Sequence, residues 1–259
     1  MSRNVVIIPA RWGSTRFPGK PLHQIAGKPL LWHVWERCRS ARKIESTIIA
    51  TDDMRIAEAA FAWGAEVALT SPKHQSGTDR IAEVAKHAKD FSLIINVQGD
   101  EPLVDPQLLN RLVSTLQQSR QIAIVTAAHP FENPHDALSP HQVKVVIDRT
   151  GNALYFSRVP IPSTKGSGPS LFLRHQGIYG FRREMLLQFV KWKPTPLEEA
   201  ESLEQLRALE NGVRVHVLVT KQGSPGVDTP ADAEAVAASL HQWPTSPAGR
   251  RLQKSRAHR

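Results

Sequence analysis

The chain predicts an α/β fold built on a doubly wound, mostly parallel sheet. Two apolar runs carry much of that reading: Val5-Val6-Ile7-Ile8 and Leu93-Ile94-Ile95-Asn96-Val97 have the length and β-branched content of strands buried on both faces. Between them, amphipathic helical stretches alternate with short strands. A third observation bounds the fold: residues 122–181 read as successive strands with few helices, an α+β insertion against the first half.

Taken in order, residues 30–41 place Leu30, Leu31, Val34, Trp35 and Cys38 on one stripe, predicting a helix with a packed core thiol rather than a nucleophile. Residues 47–50 read as a strand, 54–62 as a helix, 66–69 as a short strand and 78–88 as a helix. The run at 93–97 is the expected central strand, and Asp105 and Pro106 suit the N-cap and first turn of a helix to 118. Strands follow at 122–128, 143–148, 153–157 and 175–181, with a flexible loop by composition at 162–170. A helix at 198–210, a strand at 213–219 and a helix at 230–240 close the pattern. On the 198–210 helix, Leu203, Leu206 and Leu209 form the expected buried stripe, with Glu198, Glu201 and Gln205 on the opposite side.

The 259 residues accommodate one α/β domain, assigned to 1–245, followed by a basic tail at 246–259 expected to be disordered. Hydrophobic residues make up 41% of the chain, ample for a core. The formal charge of +9 raises nucleic-acid binding as a reading, but removing the five cations between 249 and 259 lowers it to +4. The excess is thus largely the tail's, and no nucleic-acid partner is expected. One cysteine excludes an internal disulfide. No apolar run approaches the ~20 residues that span a bilayer, and a cytoplasmic location without membrane insertion is expected.

The loop at 9–22, Pro-Ala-Arg-Trp-Gly-Ser-Thr-Arg-Phe-Pro-Gly-Lys-Pro-Leu, follows the first strand at the sheet edge where ligands bind in such folds. Arg11, Arg16 and Lys20 occur there without a carboxylate, which suits a polyanion such as a triphosphate. It is not a P-loop: five residues separate Gly13 from Gly19 where four are required, and Pro21 stands where a Ser or Thr binds metal. Asp100 lies just past the central strand and Asp228 in a Gly-Val-Asp-Thr-Pro turn. Carboxylates so placed can meet at the sheet edge and hold a hard cation, although helix capping also explains an Asp at 228.

Further motifs extend the pattern. His74-Gln75-Ser76-Gly77-Thr78-Asp79-Arg80, Asn96-Val97-Gln98-Gly99-Asp100-Glu101-Pro102, Tyr155-Phe156-Ser157-Arg158, Phe172-Leu173-Arg174-His175 and Gly226-Val227-Asp228-Thr229-Pro230 occur in one order after the first loop. With that loop, they resemble the 3-deoxy-manno-octulosonate cytidylyltransferase family, also called CMP-Kdo synthetases, from residue 5 to about 240. The resemblance implies a Rossmann-like nucleotidyltransferase fold whose insertion serves acceptor binding and homodimerisation. It also implies CTP and 3-deoxy-D-manno-octulosonate (Kdo) as partners, Mg2+ on Asp100 and Asp228, and a place in lipopolysaccharide assembly. Arg11, Arg16, Lys20 and Asp100 would be catalytic. Pro9, Ala10, Arg11, Ser14, Lys20, Ser76, Gly77, Arg80 and Gln98 would bind nucleotide. The acceptor sugar would meet Arg158, His175, Tyr179, Glu201 and Gln205, with Arg174 nearby. Alternatives are a cytidylyltransferase for 8-amino-Kdo or sialic acid, and more remotely a glycosyltransferase, which would usually show an Asp-x-Asp at the strand end.

Overall fold

The computed structural model describes residues 3–13, 17–163 and 172–242. Ser14, Arg16, most of the 162–170 loop and the 246–259 tail therefore lie outside the described residues. The chain runs β1 (Arg3–Ala10), β2 (Gln24–Ile25), β3 (Lys28–Pro29), α1 (Leu30–Arg39), β4 (Ser46–Thr51), α2 (Met54–Ala62), β5 (Glu66–Leu69), α3 (Gly77–His87) and β6 (Phe91–Asn96). It continues through α4 (Pro106–Gln118), β7 (Ile124–Pro130), β8 (Lys144–Ile147), β9 (Ala153–Ser157), β10 (Leu173–Arg182), α5 (Arg183–Phe189), α6 (Pro196–Glu201), α7 (Leu206–Glu210), β11 (Val215–Val219) and α8 (Pro230–Gln242).

The main sheet has the order β11-β7-β10-β6-β1-β4-β5. β1 pairs in parallel with both β4 and β6, β4 with β5, and β11 with β7. Only β10 in this row is antiparallel to its neighbours. After β5 the chain returns to the other side of β1, so the strand order reverses there, which opens a crevice beyond the carboxyl ends of β1 and β6.

Two apolar layers cover the sheet. Leu30, Leu31, Val34, Ile56, Leu109, Leu112 and Val236 pack one face, from α1, α2, α4 and α8. Ile81, Ala85, Leu186, Phe189, Leu206 and Ala208 pack the other, from α3, α5 and α7. The stripe from Leu30 to Cys38 is buried throughout, and burial pushes the Cys38 thiol far up, which fits a core residue. Asp53 caps α2 and Asp105 caps α4, the latter with Pro106 in its first turn.

Two expectations need correction. The strands read at 122–128 and 175–181 are not part of an insertion; as β7 and β10 they complete the main sheet, and only β8 and β9 form the arm. Gly180 makes this possible, because a Cβ there would stand 2.8 Å from Val125, 3.0 Å from Ile95 and 3.1 Å from Leu116. The helix read at 198–210 is broken into α6 and α7 by Ser202, which takes a left-handed conformation at φ 52° and ψ 49°. Glu198 is not on a solvent face: its carboxylate takes Arg207 Nε at 2.7 Å and Nη2 at 2.5 Å, and folding the chain back at Ser202 brings the two together. Sequence periodicity also missed α5 and the small β2–β3 hairpin.

Candidate active site

The first loop is built on packing before it offers any charge. Gly19, at φ 68°, lies against the Trp12 ring, and the Arg55 guanidinium stacks 3.7 Å from the ring centroid. A 3₁₀ turn over Lys20–Leu22 follows. It sends Lys20 Nζ 2.6 Å from Asp100 Oδ2, 2.9 Å from the Val227 carbonyl and 3.5 Å from Asp228 Oδ1. Arg11 stands exposed at the end of β1.

The segment after β11 reaches this point because it is pinned across the sheet edge. Thr220 donates its amide to the Ala128 carbonyl at 2.8 Å, and Val227 donates to the Asp100 carbonyl at 2.9 Å. Ser224 donates to the buried Glu101 carboxylate at 2.7 Å. Burial raises the Glu101 pKa to about 7, with the Ser224 bond opposing the shift. Capping of α8 falls to other side chains: Asp232 accepts the amides of Asp228 and Thr229 at 3.0 and 2.8 Å, and Thr229 Oγ1 accepts from Asp232 N at 3.2 Å. The Asp228 carboxylate is thus turned to Lys20 rather than spent as the helix cap.

Pro9, Gly77 and Gln98 meet beside this cluster. A Cβ on Gly77 would lie 3.2 Å from Pro9 Cγ and 3.4 Å from Gln98 Oε1, and one on Gly99 would lie 2.9 Å from the Pro9 carbonyl oxygen. The glycines let the ends of β1 and β6 and the start of α3 close on one another. Ser76 caps α3, accepting the Asp79 amide at 3.1 Å. Arg80 points elsewhere: its guanidinium is buried against Asp52 at 3.1 Å and Thr70 Oγ1 at 2.5 Å, an internal tie rather than a group facing the crevice.

A cavity of about 70 Å³ opens next to Gln98, lined on its polar side by Thr78, Asn96, Tyr179, Glu204 and Gln205. His175 and Tyr179 share a face, with ring centroids 5.4 Å apart, and His175 Nε2 lies 3.0 Å from Thr126 Oγ1. Burial takes the His175 pKa down to about 3, so the ring is neutral. Tyr179 and Gln205 therefore reach the cavity with Gln98, whereas Glu201 does not. Glu201 accepts from Ser157 Oγ at 2.7 Å and from Arg158 N at 2.8 Å, at the end of β9.

Its place is taken by Glu204, which periodicity alone did not single out, because the break at Ser202 changes which carboxylates face inward. Glu204 accepts from Thr78 Oγ1 at 2.5 Å, and burial raises its pKa. Arg158 gives its guanidinium to the carbonyls of Glu201, Pro140 and Ser202 at 2.7, 3.0 and 3.1 Å, while fully buried Lys144 serves the carbonyls of Ser139, Gln142 and Arg158. Both cations brace the β8–β9 arm. Arg174 lies near Glu101 and His129, where its charge lowers both pKa values, while burial moves Glu101 up and His129 down.

A reversed strand order with a lysine and two aspartates at its crevice, beside a polar cavity, defines an α/β enzyme class that handles phosphorylated nucleotides. Residues 5–215 match the family model described as Cytidylyltransferase. A 3-deoxy-manno-octulosonate cytidylyltransferase of Geobacter metallireducens is 47% identical over 248 residues, covering 92% of this chain and 97% of that protein. One from Marinobacter nauticus is 45% identical, with 92% and 97% coverage. A solved structure of CMP:2-keto-3-deoxy-manno-octonic acid synthetase complexed with CTP superposes with a TM-score of 0.90 at 39% identity, covering 93% of this chain and 99% of that one. The chain belongs to the cytidylyltransferase family, and within it to the 3-deoxy-manno-octulosonate cytidylyltransferases.

Proposed function

We propose that the protein transfers CMP from CTP to the anomeric hydroxyl of 3-deoxy-D-manno-octulosonate, releasing pyrophosphate. The observation that carries this reading in the structure is the convergence of Lys20, Asp100 and Asp228 beside the Pro9–Gly77–Gln98 contact, with the polar cavity adjoining it. Membership of the family supplies the substrates.

Pro9, Gly77 and Gln98 hold the nucleoside, and Lys20 holds the triphosphate at the edge of the crevice. Arg11, exposed beside them, neutralises the charge that gathers on the departing pyrophosphate. Tyr179, Glu204 and Gln205 orient the acceptor so that its hydroxyl faces the α-phosphorus in line. No covalent intermediate on the enzyme is needed.

The residues fit magnesium: two carboxylates and a carbonyl oxygen already surround the Lys20 ammonium, an oxygen-rich setting for a cation. Asp100 and Asp228 would hold the ion, which would supply charge neutralisation at the phosphate and a more acidic attacking hydroxyl. A homodimer in the cytoplasm belongs to the same reading. The homodimer is supported by Leu154, Val159 and Leu138, which stand 62%, 61% and 63% exposed on or beside the β8–β9 arm.

The test is pyrophosphate release with magnesium and CTP, with and without Kdo, repeated with UTP and with sialic acid. Release with CTP and Kdo alone is the expected result. Release with sialic acid in place of Kdo would assign the site to another sugar acid.

A further inference from the structure

The turn after β6 gives two consecutive carboxylates different partners. The Glu101 amide donates to the Gln98 carbonyl at 3.2 Å, and the Val104 amide donates to the Glu101 carbonyl at 3.1 Å, so the backbone is fixed around both residues. Asp100 faces Lys20. Glu101, 9% exposed, instead accepts from the Ser224 hydroxyl at 2.7 Å, across 123 positions of chain.

Ser224 belongs to the strap, residues 220–227, that leads from β11 to Asp228. At its start Gln176 donates to Thr220 Oγ1 at 3.0 Å, beside the bond from the Thr220 amide to Ala128. At its end Val227 is fully buried and bonded to the Asp100 carbonyl. Between them the strap lies directly on β7, since a Cβ on Gly223 would fall 2.3 Å from His129 Nε2. The Ser224–Glu101 bond ties down that middle. Asp228 depends on this path because its side chain is 56% exposed, so burial does not fix where its carboxylate points.

Resting on the cytidylyl-transfer reading, we infer that Glu101 is a positioning residue: by holding Ser224 it seats the strap and keeps the Asp228 carboxylate opposite Asp100, where the two would hold magnesium. One turn thus supplies one metal carboxylate and fixes the segment that brings the other. Magnesium demands near-octahedral oxygen geometry, so a loosened strap weakens metal capture. The acceptor cavity is lined by Thr78, Tyr179, Glu204 and Gln205 rather than by the strap, so acceptor affinity is spared.

Ser224→Ala removes the donor and Ser224→Thr keeps it; Glu101→Ala and the double variant with Ser224→Ala close a cycle. Pyrophosphate release is followed with Mg2+ and Kdo varied separately, thermal midpoints are recorded, and tryptic cleavage after Lys221 is timed in the ligand-free proteins. The expected result for Ser224→Ala is a half-saturating Mg2+ concentration raised about fivefold or more, faster cleavage after Lys221, and a KM for Kdo within about twofold of wild type. Ser224→Thr is expected to stay near wild type, and Ser224→Ala is expected to add less than twofold in the Glu101→Ala background. An unmoved Mg2+ dependence in folded Ser224→Ala overturns the inference, whatever the cleavage rate, as does a parallel rise in the KM for Kdo. Inactive wild type with CTP and Kdo overturns the transferase reading and the inference with it, so the wild-type control tells the two failures apart.

Discussion

Lys20 Nζ and Asp100 Oδ2 lie 2.6 Å apart although the residues are separated by 80 positions in the chain. The contact joins the first strand's loop to the central strand's loop, and Asp228 joins it from a third. Lys20→Met is expected to lower turnover by about 10²–10³-fold, the usual cost of removing one preorganised charge from a reacting phosphate or oxyanion site. Asp100→Ala is expected to abolish turnover. Far-UV circular dichroism should remain that of the wild type in both, and retained activity in Asp100→Ala would sink the metal assignment.

Glu201 and Glu204, three residues apart, serve different partners: Glu201 bonds Ser157 and Arg158, and Glu204 bonds Thr78. Glu204→Gln is expected to raise the KM for Kdo by about tenfold, because its carboxylate lines the cavity with Tyr179 and Gln205. Glu201→Gln is expected to act on stability first, since Glu201 bonds the Ser157 hydroxyl and the Arg158 amide. Steady-state kinetics and urea unfolding on the two variants distinguish the outcomes.

The Glu198–Arg207 pair is buried and bidentate. Arg207→Met leaves the Glu198 carboxylate without its cation and is expected to destabilise the protein by about 3–5 kcal/mol. A denaturant midpoint unchanged from wild type would contradict the structural role assigned to the pair.

Burial lowers the His175 pKa from 6.5 to about 3, so the unfolded chain binds a proton there between those values that the native state does not. Stability is therefore full above pH 6.5 and is lost as pH falls toward 3, by at most about 1.4 kcal/mol per pH unit from this one group. His175→Phe is expected to weaken the loss of stability between pH 7 and pH 5, measured by urea unfolding at each pH. A profile identical to wild type would remove His175 from the account.

Gly180 tests the sheet. Gly180→Ala places a methyl group 2.8 Å from Val125 and 3.0 Å from Ile95, and is expected to cost about 1–3 kcal/mol by overpacking. Unfolding that is unperturbed would mean that α4 and β10 pack less closely than described.

Local chemistry explains what could be read in advance. The run Val5-Val6-Ile7-Ile8 pairs as β1 between β4 and β6, and Asp105-Pro106 starts α4, because β-branched content and capping act over a few residues. The break at Ser202 was not legible, because it depends on Glu198 finding Arg207 nine residues on, and helical periodicity runs smoothly through it. Arg80 and Arg158 carry the same charge as Lys20, yet both are spent on internal partners. Residue type indicates which groups are able to bind an anion; only packing shows which remain turned to the crevice.

By itself, the sequence determined the alternation of strands and helices, the family and the loops that carry Lys20, Asp100 and Asp228. These depend on short-range periodicity and on motifs whose residues are contiguous. The tertiary structure decided that β7 and β10 belong to the main sheet and that Glu204 rather than Glu201 faces the cavity. Those outcomes depend on which distant segments exclude one another from the same space, and no local pattern encodes that competition.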